Sequence, residues 1–343
     1  MDLLSTAEKQ LITTLAWFRS RYALYQHLDP ERKATRESIE AFGKTWIGEF
    51  KQNWDDAFAS LQEKGVLIIS NGEYAFTGKG VDLKNSVEAE SPFYQYEYDN
   101  YFSREERSEA HRRFCEKVYG KDLSQHGLID LDELALLIDR LKTNAYFDVL
   151  DLGCGNGRIT EYLSGFSNAR FLGVDISGEA IAKATKRVGV ENEKLRFRVA
   201  NINDLDLPAG AYDLILSLDT LYYADSLPDL LDQASRLLRK GGRMMAYFSQ
   251  WIMDENYAEN LLPENTHLAR ALSEKGHAYT CHNLTESGIN HWKTKLAVLE
   301  EMEEEFAEEG NRALWEYRYR EAYRYANWGE NKYSRYFYEI EFA

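Results

Sequence analysis

Short apolar runs alternate with helical patterns over residues 146–249. The runs that predict buried strands are Asp148–Leu152, Phe171–Asp175, Leu195–Ala200, Tyr212–Leu218 and Arg243–Ser249. Between them apolar residues recur three and four positions apart, as in the helix predicted over Ser226–Arg239, with Gly241–Gly242 as its stop. This alternation predicts an α/β fold with a parallel sheet covered on both faces. Ligands of such sheets bind at the carboxyl ends of the strands.

Three glycines stand on alternate positions directly after the first of these strands. They are Gly153, Gly155 and Gly157, and a helical stretch follows from Arg158. Glycine lets the backbone turn sharply and lets a ligand approach atoms that a Cβ would block. The start of a helix also presents free N–H groups to a polar ligand. A dinucleotide fingerprint requires Gly-x-Gly-x-x-Gly, and its last glycine would fall where Arg158 stands.

An acid, Asp175, ends the second predicted strand. A carboxylate in this place can accept hydrogen bonds from both ribose hydroxyls of a nucleoside. Together with the pattern Asp151-x-Gly153-x-Gly155-x-Gly157 it resembles motif I and the acidic strand end of class I S-adenosylmethionine-dependent methyltransferases. The alternative is an ordinary strand–turn–helix unit with a solvated Asp175.

The resemblance implies a Rossmann-like, seven-stranded, doubly wound sheet with S-adenosylmethionine as the cofactor. In the family an acid or amide after the third strand meets the adenine amino group, and the next apolar residue covers the ring. Asn201 and Ile202 match these positions, with Asn201 standing where Asp is commoner. Cys154 is interpreted as a small packing residue rather than a nucleophile. The residues expected around the cofactor are Asp151, Gly153, Cys154, Gly155, Gly157, Asp175, Ile176, Asn201, Ile202 and Leu218.

The loop after the fourth predicted strand, Ser217–Tyr223, lies where the resemblance places the methyl acceptor. Asp219 can hold an ammonium, orient a hydroxyl or take its proton. Tyr222 and Tyr223 are candidates to line the acceptor pocket. The alternative is that Asp219 caps the next helix. The Asn/Asp-Pro-Pro-Tyr signature typical of nucleobase and glutamine methylation is absent, which lowers the weight of those substrates.

Residues 1–85 predict a separate small domain. Ser5–Glu8 matches a capping box, and three helical stretches precede an Asn71–Gly72 pair that predicts a two-residue hairpin. Three helices and a hairpin resemble a winged helix, which also occurs at the N-terminus of small-molecule methyltransferases. Because the second and third helices carry acids, packing or homodimerisation is favoured over DNA binding.

Residues 86–145 connect this domain to the methyltransferase-like region, predicted over 146–343. An aromatic cluster at Phe93–Phe102 predicts a lid over the active site, since aromatic faces attract sulfonium or ammonium groups. The alternative is packing between the domains. His126, placed just before the catalytic region, is a candidate catalytic residue.

The region after residue 249 predicts a strand over Tyr279–Thr285, a helical insert over about 286–333 and a last strand over Tyr336–Phe342. A helical cap between the last two strands would exclude water from the site.

Composition and charge bear on the compartment of the protein and on the ligands it binds. The chain has 343 residues, a net charge of −16, no apolar run long enough to span a membrane and no secretion signal. Its three cysteines are widely spaced, which indicates a reducing, cytoplasmic setting, and no metal-ligand spacing occurs. The charge disfavours nucleic acid, while the acidic run Glu300–Glu309 can attract a cationic or amine substrate.

The sequence therefore predicts a methyltransferase acting on a small-molecule nitrogen or oxygen acceptor, with nitrogen slightly favoured by the acidic balance. Two alternatives stay open. One is a winged-helix regulator that binds S-adenosylmethionine as a ligand, and the other is an RNA or protein methyltransferase.

Overall fold

The computed structural model describes residues 4–25, 33–46, 54–90 and 93–342. The chain divides into two compact units, residues 1–101 and 102–343. This division falls inside the segment predicted to connect the two domains, and the functional boundaries at 85 and 145 stay predictions. In the described part of the chain, no helix has both the length and the apolar character needed to cross a bilayer.

The first unit contains the predicted helices and hairpin. Ser5 and Glu8 form the capping box, because the N–H of each donates to the side chain of the other, at 2.7 and 3.2 Å. Asn71 and Gly72 turn the hairpin with φ of +53° and +79°. The winged-helix assignment of residues 1–85 and the role of that domain stay predictions. The elements are α1 (Thr6–Tyr25), α2 (Arg36–Trp46), α3 (Trp54–Glu63), β1 (Leu67–Ser70), β2 (Glu73–Phe76), α4 (Gly78–Glu90) and α5 (Phe93–Glu105), which continues into the second unit.

The second unit is built on a seven-stranded sheet. Its strands are β3 (Asp148–Leu152), β4 (Arg170–Asp175), β5 (Leu195–Val199), β6 (Tyr212–Leu218), β7 (Leu238–Trp251), β8 (Ala278–Asn283) and β9 (Tyr333–Glu341). The order is β5-β4-β3-β6-β7-β9-β8, and only β9 runs antiparallel, to both of its neighbours. The predicted doubly wound α/β fold is confirmed.

Helices precede and connect these strands. They are α6 (Glu109–Tyr119), α7 (Leu131–Thr143), α8 (Arg158–Ser164), α9 (Gly178–Val188), α10 (Leu227–Leu237), α11 (His267–Lys275), α12 (Thr285–Glu301), α13 (Glu303–Glu308) and α14 (Arg312–Ala326). The last three form a helical insert between β8 and β9.

Adjacent residues of one strand enter different apolar clusters. Leu150 and Ile215 belong to the cluster on one face of the sheet, whereas Val149, Leu214 and Leu216 belong to the cluster on the other. Side chains alternate between the faces of a strand. A strand covered by helices on both faces must therefore be apolar at consecutive positions. This is why the central strands read as continuous apolar runs.

The predicted stop of α10 is wrong. Helix α10 ends at Leu237, and Gly241 and Gly242 lie inside β7 instead of stopping the helix. The pairing of β7 with β6 shifts register between Tyr212 and Leu214, and Gly241 has a φ of +78°. A glycine with positive φ fits such an irregular pairing, which resembles a bulge.

A buried ion cluster joins β9 to α7, to β7 and to the loop after β6. The guanidinium of Arg335, which is fully buried, donates to both carboxylate oxygens of Glu133 at 2.7 and 2.8 Å. It also donates to both oxygens of Asp219, at 2.6 and 3.0 Å, and to Ser249 Oγ at 3.0 Å. Burial raises the pKa of Glu133 to about 7, although Arg335 acts to lower it. One side chain thus connects α7, β6, β7 and β9.

We expect Arg335→Met to lower the free energy of unfolding by about 3–5 kcal/mol, because it leaves two carboxylates buried without their cation. Urea denaturation measures this loss. The control is Arg243→Met, which removes a largely exposed ion pair with Glu341 at 2.8 Å. This substitution should lower the free energy of unfolding by less than about 1 kcal/mol. Equal losses in the two variants would contradict the importance of the cluster.

Candidate cofactor and acceptor site

The glycine turn after β3 is fixed by its backbone. The N–H groups of Gly153 and Cys154 both donate to the carbonyl of Val174 in β4, at 2.8 and 3.0 Å. Gly153, Gly155 and Gly157 have φ of +71°, +56° and +74°, a region that residues with a Cβ rarely adopt. The alternate glycines of the sequence are therefore required by the conformation of the turn.

Close packing adds a second requirement. A Cβ on Gly153 would lie 2.3 Å from the side chain of Thr220, directly after β6. A Cβ on Gly157 would lie 2.4 Å from the ring of Phe197 in β5. The turn is thus held between the ends of the central strands, at the edge where ligands of this fold class bind.

Asp175 ties the tip of β4 to the same turn. Its Oδ2 accepts from the N–H of Gly155 at 2.8 Å, and its Oδ1 accepts from the N–H of Ser177 at 2.9 Å. A carboxylate oxygen can accept more than one hydrogen bond, so these contacts leave capacity for ligand hydroxyls. Ile176 follows it and is half-buried.

Asp151 lies below the turn with its side chain buried. Its Oδ2 accepts from the hydroxyl of Thr160 at 2.6 Å, while its Oδ1 has no hydrogen-bond partner among the described residues. Burial raises the pKa of this carboxyl to about 7. A buried acceptor without a partner is uncommon in proteins and fits a donor supplied by a ligand.

Cys154 packs against β4. A Cβ on Gly173 would lie 2.8 Å from its sulfur. Burial, reinforced by the charge of Asp175, raises the pKa of the Cys154 thiol. Because the thiolate is the reactive form, the environment supports a packing role over a nucleophilic one.

The candidate adenine contacts follow β5. Asn201 Oδ1 accepts from the N–H of Asn203 at 3.0 Å, within a local turn, and Ile202 is buried in the core beside Leu205. Leu218 ends β6 and is half-buried. Their contacts with a cofactor stay predictions.

The end of α5 covers the glycine turn. The ring of Phe102, itself buried, would lie 2.9 Å from a Cβ on Gly155. Glu105 is also buried, and its Oε1 accepts from the amide of Asn156, inside the turn, at 2.7 Å. These contacts support a covering role for residues 102–105, and the lid role of the whole segment 86–145 stays a prediction.

Asp219 is held by three neighbouring groups. Besides Arg335, its carboxylate accepts from the N–H of Leu128 at 3.0 Å and from the hydroxyl of Tyr222 at 3.2 Å. Its φ is +60°, unusual for a residue with a Cβ. Thr220 is the N-cap of the 3₁₀ turn that follows, Leu221–Tyr223, and Ser226 caps α10, so the alternative that Asp219 caps the next helix is wrong. The geometry is that of an anchored side chain.

Tyr222 extends this network. Its hydroxyl accepts from the N–H of Ser249 at 2.6 Å, and its ring centroid lies 5.5 Å from that of Trp251. Burial, together with the charge of Asp219, raises the pKa of Tyr222. The hydroxyl is therefore a donor rather than a base at neutral pH. Tyr223 is half-buried, and its carbonyl accepts from the amide of Asn203 at 3.0 Å.

His126 belongs to a segment that the helical insert binds. Its Nε2 lies 2.8 Å from the hydroxyl of Tyr317, and its carbonyl accepts from Arg318 at 2.8 Å. A Cβ on the next residue, Gly127, would lie 2.7 Å from the carboxylate of Asp219. The structure thus brings this segment to the β6 loop, while the His126 side chain hydrogen-bonds α14.

Sequence reasoning missed the buried cations. Arg335, Arg318 and Lys295 are fully buried, and they bind carboxylates or carbonyls of the site region. No motif marks them. The one signal in the sequence concerns Arg335, which directly precedes the alternating apolar residues of the last predicted strand. In the described ranges, no group of three or more His, Cys, Asp or Glu side chains is arranged to hold a metal.

The fold and the turn define a class. A parallel sheet with one antiparallel strand inserted before its edge, a glycine turn after β3 and an acid at the end of β4 are the arrangement of class I methyltransferases.

Comparisons with known proteins agree. Residues 150–246 match the family described as "Methyltransferase domain". A malonyl-[acyl-carrier protein] O-methyltransferase of Enterobacter lignolyticus is 29% identical over 45% of this chain and 56% of its own length. A sterol 24-C-methyltransferase of Pneumocystis carinii is 30% identical over 33% of this chain and 30% of its own.

Among solved structures, Haemonchus contortus phosphoethanolamine N-methyltransferase 2 in complex with S-adenosyl-L-methionine superimposes with a TM-score of 0.56. It is 14% identical, with 71% of this chain and 59% of that chain covered, which shows the fold. The chain spans about half the length of the first curated relative and under a third of the second. It contains a class I methyltransferase domain, of the class whose cofactor is S-adenosylmethionine.

We expect Asp151→Asn to remove a pH dependence of stability. The folded pKa of about 7 exceeds the unfolded value of about 3.9. The stabilising contribution of Asp151 to the free energy of unfolding is therefore fully present below about pH 4 and is lost as the pH rises through about 7. Relative to the variant, the wild-type protein should lose about 2–4 kcal/mol between pH 4 and pH 8.

Urea denaturation at pH 4.5, 6 and 8 measures this difference without cofactor. The matched control is Asp206→Asn, because the Asp206 side chain is fully exposed. This substitution should leave the dependence of stability on pH unchanged. Parallel profiles for wild type and Asp151→Asn would show that the carboxyl is not desolvated.

Proposed function

We propose that the protein transfers a methyl group from S-adenosylmethionine to a nitrogen or oxygen atom of a small molecule. The supporting observation is the 2.8 Å hydrogen bond between the N–H of Gly155 and the carboxylate of Asp175. It holds the glycine turn next to Asp175, the acid that would bind the ribose. The printed activities of the relatives are O-, C- and N-methylation, which supports methyl transfer and leaves the acceptor atom open.

The residues of the chain fit the cofactor. Asp175 would accept from the ribose hydroxyls, and the unpartnered Oδ1 of Asp151 would accept a hydrogen bond near the turn. Asn201 and Ile202 would contact the adenine. When bound, S-adenosylmethionine supplies a methyl group already activated by a sulfonium, so the protein mainly has to orient the reactants and exclude water.

On the acceptor side, Asp219 would act as a positioning residue. Its carboxylate holds the N–H of Leu128 and the hydroxyl of Tyr222 in place while Arg335 neutralises it. This fixes the loop after β6 against the segment that carries His126. The helical insert, which binds the same segment through Arg318, would keep water out.

Turnover to S-adenosylhomocysteine tests the proposal directly. The full chain is incubated with S-adenosylmethionine and a pool of small metabolites, with RNA, or with cell protein. Product formed only with the metabolites supports the proposal. Strong stimulation only by RNA or by protein would establish the macromolecular alternative, and cofactor binding without turnover in any pool would favour a regulator.

We expect Asp175→Ala to weaken S-adenosylmethionine binding by about 1.5–3 kcal/mol, because charged hydrogen bonds to the ribose are lost. Isothermal titration calorimetry measures the change. Asp206→Ala removes an exposed carboxylate of the same domain and should bind as tightly as wild type. Unchanged affinity in Asp175→Ala would remove Asp175 from the site.

We expect Asp219→Asn to lower turnover while the cofactor Kd stays within about twofold. Because an amide cannot neutralise Arg335, the free energy of unfolding should also fall, by about 1–3 kcal/mol. Steady-state kinetics, calorimetry and urea denaturation separate these effects. Lost turnover with unchanged stability would instead identify Asp219 as a catalytic base, and a parallel loss of cofactor binding would make its role purely structural.

A further inference from the structure

The last residue of α5, Glu105, is a buried acid that touches the glycine turn. It is 6% exposed. Its Oε1 accepts from the amide of Asn156 at 2.7 Å, and its Oε2 accepts from the hydroxyl of Ser124. Asn156 stands between Gly155 and Gly157 in the sequence. The carboxylate therefore contacts the turn where the cofactor is proposed to bind, and the mechanism above gives it no role.

Neighbouring contacts hold the end of α5 on this turn. The ammonium of Lys183, in α9, donates to the carbonyl of Phe102 and pairs with Glu106 at 3.1 Å. The ring of Phe102 packs so closely on Gly155 that a Cβ there would lie 2.9 Å from it. The position of the Glu105 carboxylate thus follows from contacts of the residues on either side of it.

The carboxylate of Glu105 lacks a counter-ion within the part of the chain that the structure describes. No lysine or arginine of that part forms an ion pair with it, and the ionisable side chain next to it is His111, with Nδ1 3.9 Å away. Burial lowers the pKa of His111 well below its usual value, so its imidazole is neutral at pH 7. Lys183 and Arg158 act on Glu105 from beyond ion-pair distance, and burial still raises the pKa of its carboxyl.

Two other acids that are comparably buried do have a cation. Glu133 binds Arg335 through both of its oxygens. Glu8 accepts from Lys64 Nζ at 2.6 Å. A buried charge is costly unless it is paired. At Glu105, either a proton or a cation from outside the chain has to meet this requirement.

The cofactor carries a cation of the kind that this carboxylate lacks. Besides its sulfonium, S-adenosylmethionine has an amino-acid end with an α-ammonium group, which offers three N–H donors and a full positive charge. Hydrogen bonds from an ammonium to a carboxylate are among the stronger ones in proteins. A carboxylate has about four acceptor sites, so Glu105 can accept from an ammonium and keep its hydrogen bonds to Asn156 and Ser124.

Glu105 is the third acid next to the glycine turn. Asp175 hydrogen-bonds Gly155 and is assigned to the ribose above. Asp151, in β3, keeps one oxygen without a partner among the described residues. Glu105 differs from both because it belongs to α5 and not to the sheet. A site with three acids suits a cofactor that has two cationic groups and one carboxylate.

We propose that Glu105 binds the cofactor and serves as the counter-ion of the α-ammonium group of S-adenosylmethionine. The inference rests on the proposed function for the identity of the cofactor. It rests on the contact with Asn156 and on the missing counter-ion for the place of the ammonium. S-adenosylhomocysteine carries the same ammonium without the sulfonium. Glu105 should therefore contribute to the binding of both, and not to the binding of a nucleoside that lacks the amino-acid end.

Calorimetric titration of the full chain tests this contact with S-adenosylhomocysteine and with methylthioadenosine, which lacks the amino-acid end. Glu105→Gln keeps the size of the side chain and an oxygen that can accept from Asn156, but it removes the charge. It should weaken S-adenosylhomocysteine binding about ten- to a hundredfold, because a charge-assisted hydrogen bond is lost, and methylthioadenosine binding by less than about twofold. The control is Glu106→Gln, since the side chain of the neighbouring Glu106 is half exposed. It should leave both affinities within about twofold of wild type.

An equal loss of affinity for both ligands in Glu105→Gln would overturn the proposal, because it would show that Glu105 only shapes the turn. If the wild type binds S-adenosylhomocysteine and Glu105→Gln binds it equally well, the inference about Glu105 alone is wrong. If the wild type binds neither ligand, the methyltransferase proposal fails. Thermal unfolding identifies a variant that does not fold, and in that case Glu105→Met, which also removes the charge, takes the place of Glu105→Gln.

Discussion

The second unit depends on one buried guanidinium held between two carboxylates. Arg335 carries no solvent exposure, and it neutralises Glu133 from α7 and Asp219 from the end of β6. Buried charges are tolerated only when paired and fully hydrogen-bonded. The pairing ties β9 to the β6 loop, and Thr220 of that loop packs against Gly153, so the proposed acceptor site and the cofactor turn share one support.

Local signals predicted the strands well. Runs such as Tyr212–Leu218 are apolar at consecutive positions because helices cover both faces, and the alternate glycines are required by positive φ and by close neighbours such as Thr220. The stop of α10 was wrong, because a glycine pair also suits an irregular strand pairing. Sequence offers no rule that separates these two uses of glycine.

The ion cluster was not predictable for a different reason. Glu133 and Arg335 are about two hundred residues apart in the sequence. Each lies among regularly spaced apolar residues, and such spacing predicts a buried helix or strand face but not an ion pair. Only the sheet order brings them together. Asp219 was singled out as a candidate for the acceptor site, but spacing could not reveal that its oxygens are already occupied by Arg335, Leu128 and Tyr222.

The place of β9 also has a consequence for how the chain acquires its structure during synthesis. This strand enters between β7 and β8, both of which precede it in sequence. Until residues 333–341 emerge, β7 and β8 expose unpaired backbone edges, and Glu133 and Asp219 lack their common counter-ion. Edges of this kind invite wrong pairing, and the sheet cannot close before β9 has been synthesised.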